Sequence, residues 1–301
     1  MDLSVTIGNE KLANPVGVAS GTFGYGSEYE QLIDLHDIGA LYTKAVTLLP
    51  RTGNDIPRII ETPSGILNSI GLANVGVERF IQEKMPACMR MPCSIIVNVA
   101  GSSIDEYAAV VDRLETCEGL FGYEINISCP NVKHGGLAFG TDPVLVEQLT
   151  RLIRNRTKKP LIIKLTPNVT DIRVIAKAAE AGGADAVSCI NTLVGMAIDV
   201  EAKCTVLQMK TGGLSGPAIR PVGVAATYAV HKAVSIPVIG MGGISCGRDA
   251  LEYLLAGASA IQIGTANFVD PQTVSNVLRE ITGFAEREKL STIQDFHRFV
   301  S

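Results

Sequence analysis

Short apolar runs, most of them closed by a glycine or a polar residue, recur along the chain in alternation with stretches of longer period. Eight of these runs read as strands: 15–20, 40–47, 94–100, 122–128, 161–166, 186–192, 237–243 and 260–266. Between them, segments 28–36, 76–89, 104–117, 143–156, 171–181, 217–234, 247–256 and 270–288 carry apolar residues three and four positions apart. That spacing puts them on one face of a helix. Strand–helix alternation predicts a parallel sheet with crossover helices. Eight such units predict closure into a (β/α)8, or TIM, barrel. A doubly wound open sheet is the alternative, and the even repetition favours closure.

The strand starts step by 25, 54, 28, 39, 25, 51 and 23 residues, so the basic unit is about 25 residues long. Two steps carry a large excess, in segments 48–74 and 193–216, and a smaller one lies in 129–141. These insertions after strands 2, 4 and 6 all sit between a strand end and the next helix, where a barrel carries its chemistry. Loops of this length inside a compact domain are usually lids or walls. Ahead of the first strand, 4–7 and 11–13 flank Gly8-Asn9, which predicts a hairpin closing the barrel bottom. With no linker, charge run or low-complexity tract, residues 1–301 read as a single domain.

Strands buried on both faces normally read as unbroken Val, Ile and Leu. Several of these do not: Lys44, Asn98, Asn126, Lys164, Asn191 and Thr192 fall within or at the ends of apolar runs. A buried lysine costs several kcal/mol, of order, unless an anion meets it. A single lysine at a rim can reach solvent, whereas two on different strands call for a buried anion or dipole. Glu124 is the only acid these strands offer, so a ligand is expected to supply the negative charge. The asparagines either bond the barrel's own backbone or read a ligand with amide edges.

The last two strands end in glycines, Gly240, Gly242 and Gly243 and then Gly264-Thr265, and a third cluster runs over 211–217. Glycines after strands seven and eight let backbone N–H groups approach an anion, the usual phosphate position in such barrels. The run 21–26 has the wrong order for a dinucleotide fingerprint and reads as a tight turn against a flat ligand. The strand over 122–128 alternates polar and apolar residues and stops at Cys129-Pro130. A thiol there is either a buried small hydrophobe or a base carried over a bound ligand.

Composition narrows the field. The 301 residues are 47% hydrophobic and carry a net charge of −4, which supplies no basic field for nucleic acid or an anionic membrane. No apolar run reaches the length of a membrane span, and the first residues lack the layout of a signal peptide. Seven cysteines with no C-x-x-C pair argue against a disulfide framework, a structural zinc or an all-cysteine iron–sulfur site. The reducing cytosol fits this pattern. Of the four histidines only His134 falls in a candidate active loop, where it reads as a lid residue rather than a base.

Six motifs, in order along nearly the whole chain, carry a resemblance: 42–45 (Tyr-Thr-Lys-Ala), 68–74 (Asn-Ser-Ile-Gly-Leu-Ala-Asn), 126–131 (Asn-Ile-Ser-Cys-Pro-Asn), 163–167 (Ile-Lys-Leu-Thr-Pro), 213–217 (Gly-Leu-Ser-Gly-Pro) and 240–244 (Gly-Met-Gly-Gly-Ile). Together they resemble dihydroorotate dehydrogenase, an FMN-dependent barrel enzyme of pyrimidine (UMP) biosynthesis that oxidises dihydroorotate to orotate. The quinone-linked membrane class of that family uses serine as base. Cys129, with no membrane-binding extension ahead of the barrel, resembles the Cys-type class instead. The loop 131–136 is similar to the NAD-linked subclass (class 1B) rather than to the fumarate-using one.

The resemblance implies a cytoplasmic heterotetramer: two of these catalytic chains, themselves a homodimer, with two electron-transfer subunits carrying FAD and a 2Fe–2S cluster. No nucleic acid or membrane partner is implied. It further implies that Cys129 removes the C5 proton of dihydroorotate while C6 gives hydride to the flavin N5. Lys164 is implied at the N1/O2 edge of the flavin, and Lys44 between flavin and substrate carboxylate. Asn68, Ser69, Ile70, Gly71 and Leu72, with Asn126, Asn191 and Thr192, are implied to hold the substrate. Ser20, Ala45, Asn98, Asn126, Ile190 and Gly216 are implied around the flavin, and Gly242, Gly243, Gly264 and Thr265 around its phosphate. No metal is implied in this chain. Other flavin barrels acting on dihydropyrimidines, the fumarate-using subclass and a non-enzymatic binding barrel are the competing readings. A tRNA-directed dihydrouridine enzyme would need a basic surface that this chain lacks.

Overall fold

A computed structural model describes residues 2–128 and 139–300. Eight parallel strands close into a barrel: β1 (Val16–Val18), β2 (Ala40–Tyr42), β3 (Ser94–Val99), β4 (Gly122–Asn126), β5 (Leu161–Lys164), β6 (Ala186–Cys189), β7 (Val238–Met241) and β8 (Ala260–Ile263). They pair in chain order, and β8 returns to β1 through Ile261 opposite Val16 and Ile263 opposite Val18. Each strand lies where the apolar runs predict it and is shorter than its run. Strand side chains such as Val16, Ile96, Ile125, Ile162, Val187 and Ile239 are fully buried, as burial of both sheet faces requires.

Helices cover the outside and are cut by ordinary signals. Asp142 accepts from the amides of Val144 and Leu145 and starts Pro143–Arg154, with proline at its first position. Ser103 caps Ile104–Leu114 and Asp171 caps Ile172–Ala181 in the same way. Two predicted helices come out differently. Segment 28–36 is no α-helix but two 3-10 turns, Ser27–Tyr29 and Leu35–Asp37. Gly26 enters with positive φ, the Asp34 carboxylate takes the His36 amide, and Tyr29 stacks on Phe23 at 3.8 Å. Local side-chain bonds and aromatic packing therefore displace the helical ladder. Segment 76–89 is broken by a π-helical stretch, Phe80–Lys84, just ahead of Pro86, which has no amide to donate.

The N-terminal hairpin forms as expected, Val5–Ile7 against Glu10–Leu12. A Cβ on Gly8 would press on the Asp185 carboxyl group at 3.0 Å, so the turn lies at the entry of β6. Lys11, Gly39, Ser94 and Phe121 line a cavity of about 740 Å³ beside it, which places the hairpin at the N-terminal end of the barrel.

At the opposite end the insertions after β2 and β6 do something the sequence pattern does not predict. Strands Ile59–Thr62 and Gly65–Asn68 from the first pair with Thr211–Ser215 and Leu193–Met196 from the second, making one four-stranded antiparallel sheet. Leu67 is buried in this sheet, and Leu193 and Leu214 pack onto the main core. The end of the insertion after β4 is a 3-10 turn, Phe139–Thr141; residues 129–138 lie outside the described residues.

Candidate active site

The C-terminal rim of the barrel gathers most of the polar residues singled out from the sequence. Glu124 on β4 faces the barrel interior and has no solvent exposure. Its carboxylate accepts from Asn98 Nδ2 on β3 at 2.6 Å, Ser188 Oγ on β6 at 2.8 Å and Gln262 Nε2 on β8 at 2.8 Å. The Lys164 ammonium on β5 stands 3.7 Å from the same carboxylate, with 7% of its side chain exposed. Five strands thus converge on one anion. Burial, reinforced by the Glu124 charge, drives the Tyr42 hydroxyl far above the usual tyrosine range.

This network corrects one inference from the sequence. The charge of Lys164 is met inside the chain by Glu124, so its burial alone does not call for a bound anion. Lys44 is different. It is half-buried just beyond β2, and among the described residues its ammonium has no ion pair or side-chain hydrogen bond. Among the described residues, Asn98 Oδ1 and Ser69 Oγ are buried without hydrogen-bond partners.

The amides form a second group. Asn191 Nδ2 donates to Ser128 Oγ at 2.8 Å and to Asn126 Oδ1 at 3.3 Å, tying the tips of β4 and β6. Asn126 is the register neighbour of Lys164, so this group adjoins the buried pair. Asn68 donates to the Gly213 carbonyl at 3.3 Å. Thr192 packs on the face of Gly213, where a Cβ would collide with it. Ser128, Thr166, Asn168, Asn191, Thr192 and Gly213 line a cavity of about 270 Å³. Ser69 to Leu72 lead out of the insertion sheet, with Gly71 and Leu72 at positive φ. Leu72 packs with Ala45 and Ala100 in a small apolar cluster of its own.

The glycines form a third group. Gly216, Gly242 and Gly243 have φ of 96°, 123° and 73°. A Cβ on Gly243 would lie 2.7 Å from the Gly216 carbonyl, and one on Gly216 would lie 2.7 Å from Gly65 Cα. Only bare backbone fits there. Thr265 Oγ1 donates to Ser215 Oγ at 2.8 Å, and a Cβ on Gly264 would sit 3.6 Å from Ala19, next to Ser20. At the ends of β7 and β8 backbone thus packs directly against backbone, so any recess for an anion there would be walled by bare main chain. Ile190 follows Cys189 directly at the end of β6.

Some working residues escape the motif reading. Gln262 and Ser188 are polar residues in buried strands, the same signal that picks out the lysines and asparagines, and they complete the Glu124 network. Tyr253 gives no sequence signal. Its ring fills the space left by Gly223 and Gly240, and its hydroxyl donates to the Gly242 carbonyl at 2.6 Å. Gly240 therefore serves packing rather than the recess. Cys129 lies outside the described residues. Among the described cysteines Cys189 is at a strand tip, and burial pushes its thiol up to about 12.

A model of the dihydroorotate dehydrogenase family matches residues 2–284. A relative from Geobacter sp. strain M21, named dihydroorotate dehydrogenase B (NAD(+)), catalytic subunit, is 50% identical over 292 residues, covering 97% of this chain and 96% of its own. Relatives of the same name from Phocaeicola vulgatus (49% over 294 residues, 98% and 97% covered) and Trichlorobacter lovleyi (53% over 275 residues, 91% and 90% covered) agree. Among solved structures, a dihydroorotate dehydrogenase from Eimeria tenella in complex with ferulenol superposes with a TM-score of 0.78 at 22% identity, over 98% of this chain and 87% of that one. At that identity the likeness is one of fold.

Proposed function

The chain belongs to the dihydroorotate dehydrogenase family, and from that premise we propose that it oxidises dihydroorotate to orotate as the FMN-bearing catalytic subunit of an NAD-linked enzyme. One juxtaposition carries this reading: the positive-φ glycines after β7, an amide-rimmed cavity and Lys44, which has no ion pair among the described residues, share one end of one barrel.

The residues present fit FMN. Gly242, Gly243, Gly264 and Thr265 suit its phosphate, since N–H groups with no side chain in the way can close on an anion. Ser20, Ala45, Asn98, Ile190 and Gly216 would flank the ring system. When bound, FMN supplies a two-electron acceptor for hydride. The other work falls to side chains of this chain. Cys129 is the proposed base for the C5 proton, because a thiol has a reference pKa of about 8.5, near enough to neutral to lose its proton readily. Lys44 would hold the substrate carboxylate, and Asn68, Ser69, Ile70, Gly71 and Leu72 would wall the substrate on the insertion side. Asn126, Asn191 and Thr192 would read its amide edges. Lys164 would stabilise negative charge on the reduced ring.

The words "catalytic subunit" in the relatives' names support a partner chain. We assign it FAD and a 2Fe–2S cluster, through which electrons would reach NAD, in a heterotetramer built on a homodimer of this chain. Among the described residues no cluster of His, Cys, Asp or Glu is arranged to hold a metal, and no helix is long and apolar enough to cross a membrane. The proposed location is the cytoplasm. Residues 1–301 are read as one FMN-binding domain, since both long insertions share a sheet over the same barrel.

An absorption spectrum followed by anaerobic addition of dihydroorotate tests the proposal. The expected result is a flavin spectrum that bleaches with dihydroorotate and not with dihydrouracil, and is reoxidised by NAD only when the partner chain is present. A colourless protein, or bleaching by dihydrouracil alone, would overturn it.

A further inference from the structure

Glu124 is the most enclosed charged group among the described residues, and the chemistry above gives it no task. A carboxylate with no exposure is costly to bury, and replacing such a group by an apolar one of similar size is often neutral or stabilising. Its surroundings show more than structural tolerance. All three hydrogen bonds come from neutral donors on three other strands, at 2.6 to 2.8 Å. The fourth neighbour is the one cation in reach, Lys164, at 3.7 Å and without a tight hydrogen bond. The ammonium is thus held by charge across a gap and keeps donors for a ligand on its other side. Asn98 is held likewise: its Nδ2 is spent on Glu124, so its Oδ1 is the atom left without a partner.

We propose that Glu124 is the positioning residue of the flavin site, fixing the Lys164 ammonium and the Asn98 side-chain amide, and offsetting the lysine's charge while the flavin is oxidised. The inference rests on the FMN reading. Glu124 itself touches neither cofactor nor substrate and acts through Lys164. Oxidised flavin is neutral at the ring, and the pair beside it is neutral as well. With FMN held beside Lys164, the negative charge gained by the ring on reduction would lie near the ammonium and farther from Glu124. The carboxylate therefore works against that charge and holds the potential of the bound flavin below the value a lone lysine would set.

The test is a spectroelectrochemical titration of FMN bound to the purified protein, at slightly alkaline pH where the reduced ring is anionic, in a double-mutant cycle of Glu124→Gln and Lys164→Met. Glu124→Gln keeps size and hydrogen-bonding capacity and removes the charge. The expected result is a higher midpoint potential in Glu124→Gln than in the wild type, and no shift when the same change is made on Lys164→Met. Glu124→Asp, which keeps the charge but withdraws it by one methylene, should fall between the two, and it decides the question if the glutamine variant does not fold. An unchanged or lowered potential, or a shift that persists in the absence of Lys164, would overturn the role of Glu124. Protein that takes up no FMN would refute the flavin reading itself, and this inference with it. Flavin that binds and bleaches yet fails these comparisons would refute only the inference.

Discussion

Asn68 donates its side-chain amide to the carbonyl of Gly213, 3.3 Å away and 145 residues later in the chain. The bond crosses from the insertion after β2 to the insertion after β6, at the edge where Asn68 and Gly213 are also register partners. On the other side Thr192 lies flat on Gly213. Two segments far apart in sequence thus fix two proposed substrate residues against one glycine. The wall of the site is a product of long-range pairing, and its precision depends on Gly213 having no side chain.

Gly213→Ala should therefore damage the site without unfolding the barrel. The new Cβ would collide with Thr192 Oγ1 and Cβ, and the threonine must leave its position. Loss of one positioned hydrogen bond is worth about 0.5–1.5 kcal/mol, so KM for dihydroorotate should rise roughly 2- to 13-fold. Flavin content should hold, because Gly213 is not among the glycines proposed to meet the phosphate. Steady-state kinetics beside the flavin absorbance of the purified variant check both.

Lys164→Ala strands the Glu124 carboxylate in the interior. Removing one partner of a buried pair costs roughly 3–5 kcal/mol, while the double change Lys164→Ala with Glu124→Gln removes both charges and should recover part of that loss. Urea denaturation of the apoproteins measures this without any appeal to catalysis. Equal midpoints for the wild type and Lys164→Ala would show that the pair, at 3.7 Å, contributes nothing to stability.

Tyr253→Phe isolates the support under the proposed phosphate site. The ring still fills the gap left by Gly223 and Gly240, so packing is kept, but the 2.6 Å hydrogen bond to the Gly242 carbonyl is lost. A single such bond is worth about 1 kcal/mol net. FMN affinity, followed by fluorescence titration of the apoprotein, should weaken about fivefold. A stability loss with unchanged FMN affinity would make Tyr253 a packing residue only.

These outcomes bear on how far the sequence could be read. All eight barrel strands are legible because both faces of each are buried, which leaves short, mostly apolar runs at a regular spacing even where a lysine or an amide interrupts them. The turn of Gly242 and Gly243 was legible because its positive φ demands glycine. Segment 28–36 was not, since helical spacing says nothing of the Asp34 and Tyr29 contacts that compete with a ladder. The insertion sheet was hidden for a different reason: its register joins residue 66 to residue 215, and no local pattern encodes such a pairing. Lys164 was rightly picked out as anomalous and wrongly left without a partner. Glu124 lies one strand away, and only the closed barrel shows that their side chains meet.

The last prediction concerns the thiol. If Cys129 is the base, the rate of flavin reduction by dihydroorotate must follow its thiolate fraction. That fraction grows about tenfold per pH unit below the thiol pKa and then levels off, so the rate should climb as pH rises through neutral. Cys129→Ser should bind FMN and substrate and lose most of the rate near neutral pH, since a serine hydroxyl holds its proton far more tightly. Cys189 is the internal control. It sits at the tip of β6, within the same barrel end, but burial raises its thiol to about 12 and its sulfur engages the Thr227 hydroxyl at 3.6 Å. A group titrating there contributes almost no thiolate at neutral pH, so Cys189→Ser should leave the pH profile of flavin reduction in place. Stopped-flow reduction of the two variants across the neutral range separates them. A flat profile in the wild type, or a profile that moves with Cys189 rather than Cys129, would mean that the proton leaves by another route.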